Sequence, residues 1–143
     1  IFFPNSKIIH CQRNPKDNCL SIFKNHFSSK TMFWAYDQKD IAEYYILYSK
    51  MMNFWKSIFK DSIFDANYEN IVNSPESEVK ELISFCDLKW EPNCLNFYKN
   101  KKTPVQTVSV SQASKPIYKS SVNSNLGYKK HLSKMFNILD SNL

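Results

Sequence analysis

The stretch Lys7–Phe27, KIIHCQRNPKDNCLSIFKNHF, decides how this chain folds. Its apolar run Ile8–Cys11 predicts a short buried strand. Asn14 and Pro15 predict a helix that starts directly afterwards, because asparagine caps helix N-termini and proline is favoured at the first helical position. Arg13 therefore lies between the carboxyl end of a strand and the start of a helix.

Arg13 is the only arginine in the chain, and its position has two interpretations. Ligands of open α/β sheets bind outside the carboxyl ends of the strands, and a guanidinium offers a rigid fork of donors that fits phosphate oxygens. Alternatively, Arg13 pairs with an acidic residue at a helix end. Asp17 lies in the first turn of the predicted helix, where the helix dipole favours negative charge.

The rest of the chain predicts more helices and one further strand. Asp37 is typical of an N-cap, and apolar residues at spacings of three and four then predict a long amphipathic helix over 38–59. We interpret its tyrosine and methionine stripe as core. Residues 62–67 predict the second strand, and Ser74-Pro75 predicts another helix start. Alternating strands and helices indicate the α/β class, with short parallel strands and several flanking helices.

Two more helices have predicted inward faces. The face of the helix after Pro75 consists of Val79, Leu82, Ile83 and Cys86. A closing helix is predicted over 125–139, with Leu132, Met135, Phe136 and Leu139 inward. The polar segment 99–124 between these helices is longer than most connections in compact domains, and long loops are usually functional or disordered.

Composition limits the function classes. The 143 residues amount to one domain or part of one. Apolar residues make up 43% of the chain and there is one glycine, so a core is possible, whereas a glycine-rich phosphate loop lies elsewhere or does not exist. The net charge of +6 is typical of a solvated lysine surface, or of a field that attracts polyanionic nucleotides. The lysines form no basic stripe, so we do not expect nucleic-acid binding.

Metal binding and membrane insertion are not expected either. Cys11, Cys19, Cys86 and Cys94 show no zinc-site spacing, and we interpret them as free thiols, most of them buried, although a Cys86–Cys94 disulfide stays open. We find no signal peptide in the opening residues and no apolar run long enough to span a bilayer. A reducing cytoplasm is the simplest compartment. His10 lies on an apolar strand and is interpreted as packed rather than as a catalytic base.

Arg13-Asn14-Pro15, with Ser21 eight residues after the arginine, resembles the 3′-phosphate-binding motif of sulfotransferases that use 3′-phosphoadenylyl sulfate (PAPS). Residues 3–23, FPNSKIIHCQRNPKDNCLSIF, are most similar to the bacterial and tyrosylprotein-sulfotransferase-like branch, and the similarity extends to about Tyr128. The resemblance implies a partial P-loop-like sulfotransferase fold. Residues 1–143 would be the C-terminal portion of a single sulfotransferase domain, and the N-terminal half with the phosphosulfate loop is absent.

The resemblance also implies an activity. Such an enzyme transfers a sulfuryl group from PAPS to a hydroxyl or amine of an acceptor, which is a small molecule, a sugar or a protein tyrosine, and releases adenosine 3′,5′-bisphosphate (PAP) without a metal. Sulfuryl transfer needs a base and charge-balancing cations. In the relatives these groups lie in the N-terminal half, so no catalytic residue is assigned here, and we expect the chain alone to be inactive.

Residue roles follow from the resemblance position by position. It implies that Arg13 and Ser21 bind the 3′-phosphate and that Tyr68 helps to hold the adenine nucleotide. The loop 109–116, SVSQASKP, resembles a segment that folds over the nucleotide in the relatives, with roles for Ser109, Gln112 and Lys115. Each has a plainer interpretation: a helical serine usually bonds its own backbone, a tyrosine after a strand is commonly core, and the loop is typical of a lysine-bearing surface.

The chain departs from the family pattern at Asn70, where aspartate is usual, and at two places that concern the 3′-phosphate. Asn25 stands where some relatives carry a further arginine. Asn123, Ser124 and Asn125 stand where relatives often have glycine, a basic residue and tryptophan, and Lys119, Lys129 and Lys130 are candidates to replace the missing charge. These departures favour an alternative, a degenerate non-catalytic nucleotide-binding or interaction module. A lysine-rich helical protein without a ligand is a third reading.

Overall fold

The computed structural model describes residues 5–27, 31–99 and 115–143. The predicted α/β class is confirmed, because two parallel strands form one sheet and most other described elements are helical. The chain divides into two compact units, each made of two stretches of sequence. One consists of Ile1–Gln12 and Ser62–Lys119, and the other of Arg13–Asp61 and Ser120–Leu143. We call them the sheet unit and the helical unit.

The sheet unit is built on two strands, β1 (Ile8–Gln12) and β2 (Ile63–Asn67). They pair in parallel, with Ile8 opposite Ile63 and Gln12 opposite Asn67. Both strands were predicted to within one residue at each end. The prediction that the first strand is buried is wrong, because His10 alone is buried in β1 and Ile8, Ile9 and Cys11 are exposed. A 3₁₀ turn, Lys60–Ser62, precedes β2.

A helix, α3 (Tyr68–Asn73), follows β2 without an intervening loop, and α4 (Pro75–Phe85) begins after one further residue. A 3₁₀ helix, Pro92–Lys99, comes after the turn that ends α4. The Asn67 side chain caps α3 by accepting a hydrogen bond from the Asn70 backbone N–H at 3.0 Å. The cap predicted at Ser74 is wrong in its chemistry: Ser74 occupies the N-cap position but its side chain makes no capping hydrogen bond. Its carbonyl oxygen instead accepts from the Ser77 hydroxyl at 3.1 Å.

The end of α4 is a left-handed turn at Asp87, whose φ is 56°. The backbone N–H groups of Asp87 and Leu88 donate to the carbonyls of Ser84 (3.0 Å) and Ile83 (3.1 Å), which satisfies the helix C-terminus. The predicted inward face of α4 is half-buried rather than buried, and Ala66 and Val72 are the buried apolar residues among those described in this unit. The sheet unit therefore has a small core.

The helical unit contains α1 (Pro15–Lys24), α2 (Gln38–Ile58) and α5 (Ser133–Asn142), with 3₁₀ helices at Phe33–Tyr36 and Ser124–Tyr128. Both predicted N-caps are confirmed. The Asn14 side chain accepts from the first backbone N–H groups of α1, and the Asp37 carboxylate does the same for α2. These starts depend on local chemistry, which is why the sequence predicts them.

The core of the helical unit lies where α2 packs against α1 and α5. The four inward residues predicted for the closing helix are all buried. Among the described residues, the buried cluster consists of Cys19, Leu20, Ile41, Ala42, Ile46, Leu132, Met135, Phe136 and Leu139. Fully burying side chains of the size of leucine or methionine stabilises a fold by about 1.5–3 kcal/mol each.

The core interpretation of the α2 stripe is wrong for Tyr44 and for most of the stripe in the second half of the helix. Ile41 is buried, but Tyr44 and Met51 are each 51% exposed, and Trp55 and Ile58 are also exposed. The 21 residues of α2 extend about 31 Å, whereas the 10 residues of α1 and of α5 extend about 15 Å. Neither shorter helix is long enough to cover the whole α2 stripe.

The closing helix also starts later than predicted. The prediction began it at residue 125, whereas the structure has a 3₁₀ helix at Ser124–Tyr128 and α5 begins at Ser133. The physical reason lies in Asn125, whose backbone and side chain are both engaged by a carboxylate of α1.

Candidate functional site

Arg13 is joined to the rest of the helical unit through both its side chain and its main chain. Its half-buried guanidinium donates from Nη2 to the carbonyl oxygen of Ser121 at 2.6 Å. Its own carbonyl oxygen accepts a long hydrogen bond, 3.5 Å, from the Tyr45 hydroxyl. The residue predicted to bind an anion is therefore present at the start of α1 with a side chain of defined direction.

Asp17, one turn into α1, is the most heavily hydrogen-bonded side chain near Arg13. It is 0% exposed. Its Oδ1 accepts from the backbone N–H of Asn125 (2.7 Å), the Asn125 side-chain Nδ2 (2.7 Å) and the Ser124 hydroxyl (3.1 Å), and its Oδ2 accepts from the backbone N–H of Asn123 (2.7 Å). The carboxylate thus fixes a segment more than 100 residues away in sequence.

Two opposing effects set the ionisation of Asp17. Burial raises the pKa of the carboxyl, but the hydrogen bonds from Asn125, Ser124 and Asn123 favour the ionised form. The hydrogen bonds outweigh burial, so the pKa of Asp17 lies below its ordinary value. The carboxylate is therefore ionised at neutral pH, and hydrogen-bond donors of the same unit stabilise its negative charge.

The segment held by Asp17 contains three of the residues at which the chain departs from the family pattern. Asn123 has φ 60° and ψ 21°, the left-handed region that glycine adopts freely and asparagine tolerates best among the other residues. Ser124, where the resemblance leads us to expect a basic residue, donates its hydroxyl to Asp17. Lys129 and Lys130 follow in the same unit and are exposed, and their proposed role as replacements stays a prediction.

Ser21 lies in α1, four residues after Asp17 and eight residues after Arg13, and it is half-buried. Its carbonyl oxygen accepts a hydrogen bond from the Asn25 side chain at 2.7 Å. The Asn25 backbone N–H donates to the Ile22 carbonyl at 3.1 Å, so Asn25 closes the helix C-terminus. At the position where some relatives have an arginine, this chain therefore uses a helix-terminating amide.

The remaining predicted site residues belong to the sheet unit or lie outside the described residues. Tyr68 is the first residue of α3 and is half-buried. Lys115 is exposed. Ser109 and Gln112 lie outside the described residues. The assembly of Tyr68, Lys115, Ser109 and Gln112 with Arg13 and Ser21 into one donor site stays a prediction.

His10 is packed, as predicted, and it has a carboxylate partner. It is 9% exposed, and its Nδ1 lies 2.7 Å from Oδ1 of Asp65, which is opposite it in the parallel register. A carboxylate acceptor places the proton on Nδ1. The Gln12 amide nitrogen lies 3.3 Å from both the His10 Nδ1 and the Asp65 Oδ1. With Nδ1 protonated, Gln12 can donate only to the carboxylate.

Sequence reasoning missed two features. It placed Asp17 correctly in the first helical turn but assigned it no partner, and it did not pair His10 with Asp65. The second pair was within reach, because two parallel strands of equal length favour a small number of registers. The contacts of Asp17 had no signal in the sequence, since their partners follow a long polar segment.

Three further properties of the described residues are the state of the thiols, the hydropathy of the helices and the grouping of potential metal ligands. All four cysteines are free, but Cys19 alone is buried. The prediction of mostly buried thiols is therefore wrong for Cys11, which is exposed, and for Cys86, which is half-buried. Burial raises the pKa of Cys19 to about 12. Within the described ranges, no helix is both long and apolar enough to cross a bilayer, and no group of three or more potential metal ligands occurs.

Comparison with known proteins identifies the family. The model of the sulfotransferase family matches residues 1–92, which include Arg13, Ser21 and Tyr68. A protein of Aquifex aeolicus (strain VF5), described as an uncharacterized protein, is 36% identical over 141 residues. That similarity covers 97% of this chain and 18% of the relative, so the chain spans less than a fifth of that protein's length. The chain belongs to the sulfotransferase family.

Proposed function

We propose that this chain binds the 3′-phosphate and adenine side of 3′-phosphoadenylyl sulfate, and that it is the C-terminal portion of a single sulfotransferase domain. The complete enzyme transfers the sulfuryl group to a hydroxyl or amine of an acceptor and releases PAP. The observation that supports this proposal best is Arg13, which lies at the N-terminus of α1 with its guanidinium hydrogen-bonded to Ser121.

Three properties make this position suitable for a phosphate. The N-terminus of a helix carries partial positive charge and unsatisfied N–H groups that favour anions. Arg13 adds a full positive charge and the planar fork of donors that matches phosphate oxygens. Ser21 lies on the same helix and would add a hydroxyl donor to the same phosphate.

We also propose contacts to the adenine side of the nucleotide, a location and an acceptor class. Tyr68 would contact the adenine nucleotide, and Ser109, Gln112 and Lys115 would contribute to its binding. No residue of this chain is assigned as catalytic base or metal ligand, so we expect binding of PAPS without turnover by the chain alone. A reducing cytoplasm stays our expectation for its location, and the acceptor class stays open among small molecules, sugars and protein tyrosines.

Ligand-dependent melting tests the proposal. A ligand that binds only the folded chain stabilises it by about 2.7 kcal/mol at a concentration one hundred times its Kd. We expect PAP to raise the melting temperature by several degrees, whereas 5′-AMP, which lacks the 3′-phosphate, gives a much smaller shift. Arg13→Ala should weaken PAP binding by about 10-fold to 100-fold, since a hydrogen bond to a charged group contributes about 1.5–3 kcal/mol.

A matched control separates the role of Arg13 from general charge. Lys39→Ala removes one positive charge from an exposed position of the same unit and should leave PAP binding nearly unchanged. Equal losses in the two variants would show that PAP responds only to net charge. A folded wild-type chain whose melting temperature does not respond to PAP would overturn the proposed function.

Ser124 favours a second candidate, a degenerate module that does not take part in sulfuryl transfer. The resemblance implies that a basic residue is frequent at this position, whereas here the hydroxyl of Ser124 donates to Asp17. This candidate predicts that PAP and 5′-AMP stabilise the chain equally or not at all. It also predicts that Ser124→Lys does not increase PAP affinity.

A further inference from the structure

The turn formed by Ser121–Asn125 is attached both to Asp17 of α1 and to Arg13, which lies just before the N-cap of that helix. At its first residue, the Ser121 carbonyl oxygen accepts a hydrogen bond from the Arg13 guanidinium at 2.6 Å. At its other end, Asn123, Ser124 and Asn125 donate to Asp17. We call this segment the 121–125 turn.

The two attachments are mechanically linked through α1. Arg13 and Asp17 are four residues apart, and the α1 N-cap Asn14 lies between them. The direction of the guanidinium depends on the position of the Ser121 carbonyl, and that position depends on the residues that follow it. Those residues are held by a buried carboxylate through hydrogen bonds of 2.7 to 3.1 Å.

We propose that Asp17 is a positioning residue of the 3′-phosphate subsite, which acts by anchoring the 121–125 turn and thereby setting the direction of the Arg13 guanidinium. The inference rests on the proposed function for the identity of the ligand. Its structural part concerns only groups within the helical unit, so it can be tested without a ligand.

An electrostatic role and a positioning role of Asp17 predict opposite effects of Asp17→Asn on PAP affinity. A negative charge one helical turn from the site repels a phosphate, so Asp17→Asn should strengthen PAP binding if charge alone matters. The same substitution replaces an acceptor oxygen by an NH₂ group that faces N–H donors. If Asp17 positions the 121–125 turn, PAP binding becomes weaker even though the chain gains a positive increment of charge.

The single arginine provides a direct readout of the positioning step. In a ¹⁵N-labelled chain, the Arg13 Nε–Hε group gives one side-chain guanidinium resonance, without overlap from other arginines. We expect this resonance to shift in Asp17→Asn in the absence of ligand. The matched control is Asp140→Asn, which removes an exposed carboxylate that pairs with Lys16 of α1 at 2.7 Å. It changes the charge equally and should leave the Arg13 resonance in place.

The binding arm uses PAP and 5′-AMP as probes. We expect Asp17→Asn to weaken PAP binding by about tenfold or more, which is the scale of one lost hydrogen bond to a charged group, and to leave 5′-AMP binding unchanged. Asp140→Asn should bind PAP as the wild type does or slightly more tightly. A merely structural role for Asp17 predicts lower stability with unchanged PAP selectivity.

Each outcome decides a separate question. A folded Asp17→Asn variant with an unshifted Arg13 resonance and undiminished PAP affinity overturns the positioning role. A folded wild-type chain that does not bind PAP overturns the proposed function. The Arg13 Nε–Hε resonance in Asp17→Asn then still shows whether Asp17 sets the direction of the Arg13 guanidinium. If Asp17→Asn does not fold, Ser124→Ala removes one of the donors and should give a smaller change in the same direction; an unchanged resonance and affinity in that variant count against the proposal.

Discussion

Asn125→Asp would place a second carboxylate against Asp17 in a buried position. In the wild type the Asn125 side-chain Nδ2 donates to Oδ1 of Asp17 at 2.7 Å, and Asn125 is 4% exposed. Two carboxylates at that distance cannot both be ionised, so the folded pair binds one proton that the unfolded chain does not bind at neutral pH. The proton belongs to the pair rather than to either residue.

This shared proton fixes the size and the sign of the effect. An unperturbed aspartate has a pKa of about 3.9, so keeping one proton at pH 7 costs about 4 kcal/mol, at about 1.4 kcal/mol per pH unit. The protonated carboxyl can donate to its neighbour and restore the hydrogen bond. The variant should therefore be about 4 kcal/mol less stable than the wild type at pH 7 and within about 1 kcal/mol of it at pH 4.5.

The wild-type group has the opposite pH dependence. Because the pKa of Asp17 is lowered in the folded chain, its contribution to stability is complete above the unfolded pKa and disappears as the pH falls through the folded pKa. Above pH 4.5 the contribution of Asp17 to the stability of the wild type therefore changes little with pH. Acidification from pH 7 to 4.5 should leave this wild-type contribution constant while the variant gains stability.

Urea denaturation followed by far-ultraviolet circular dichroism, at several pH values between 4.5 and 7, measures this difference. Asn137→Asp, at an exposed position of α5, is the matched control and should differ little from the wild type at every pH. A stability difference between Asn125→Asp and the wild type that stays constant across this range would refute the contact with Asp17. So would a difference that grows on acidification.

Three further predictions concern the backbone, the core and the thiols. Asn123→Ala should lower the free energy of unfolding by about 1 kcal/mol, because alanine is strained at φ 60°, whereas Asn123→Gly should change it little; thermal melts compare the two. Met135→Ala should cost about 2–5 kcal/mol at a fully buried site, and Leu47→Ala, at an exposed site, should be near neutral in the same assay. In a thiol-labelling time course Cys11 should react early and Cys19 only on unfolding, because Cys19 is buried and its pKa is raised to about 12; early labelling of Cys19 would contradict the core assignment.

Local chemistry explains why much of the fold could be predicted. The helix starts at Asn14-Pro15 and Asp37 depend on side chains that bind backbone groups two or three residues away. The strand at 8–12 was recognisable from the short apolar run Ile8–Cys11. Ser74 shows the limit of this reasoning, because its sequence context is equally favourable but its side chain does not cap the helix.

Burial was harder to predict because it depends on the lengths of neighbouring elements. The α2 stripe continues over the whole helix, yet its buried residues lie in the half that α1 and α5 are long enough to cover. For the candidate site, the residues alone indicated an anion or an ion pair at Arg13, and the resemblance supplied the phosphate. The anchor at Asp17 required the fold, since its partners are 106 to 108 residues away.

The helical unit is made of two stretches of sequence, Arg13–Asp61 and Ser120–Leu143, so it cannot fold completely until the second stretch has been translated. Of the helical unit, residues 13–61 are made first, but Leu132, Met135 and Phe136 complete their core only after residues 62–119 have been made. At about 5–20 residues per second, that interval lasts several seconds. Throughout it, Leu20, Ile41 and Ile46 have no C-terminal partner and are available to chaperones. A ribosome that stalls before Leu132 would release a chain with an uncovered core, so premature termination should yield a substrate for proteolysis rather than a shorter working protein.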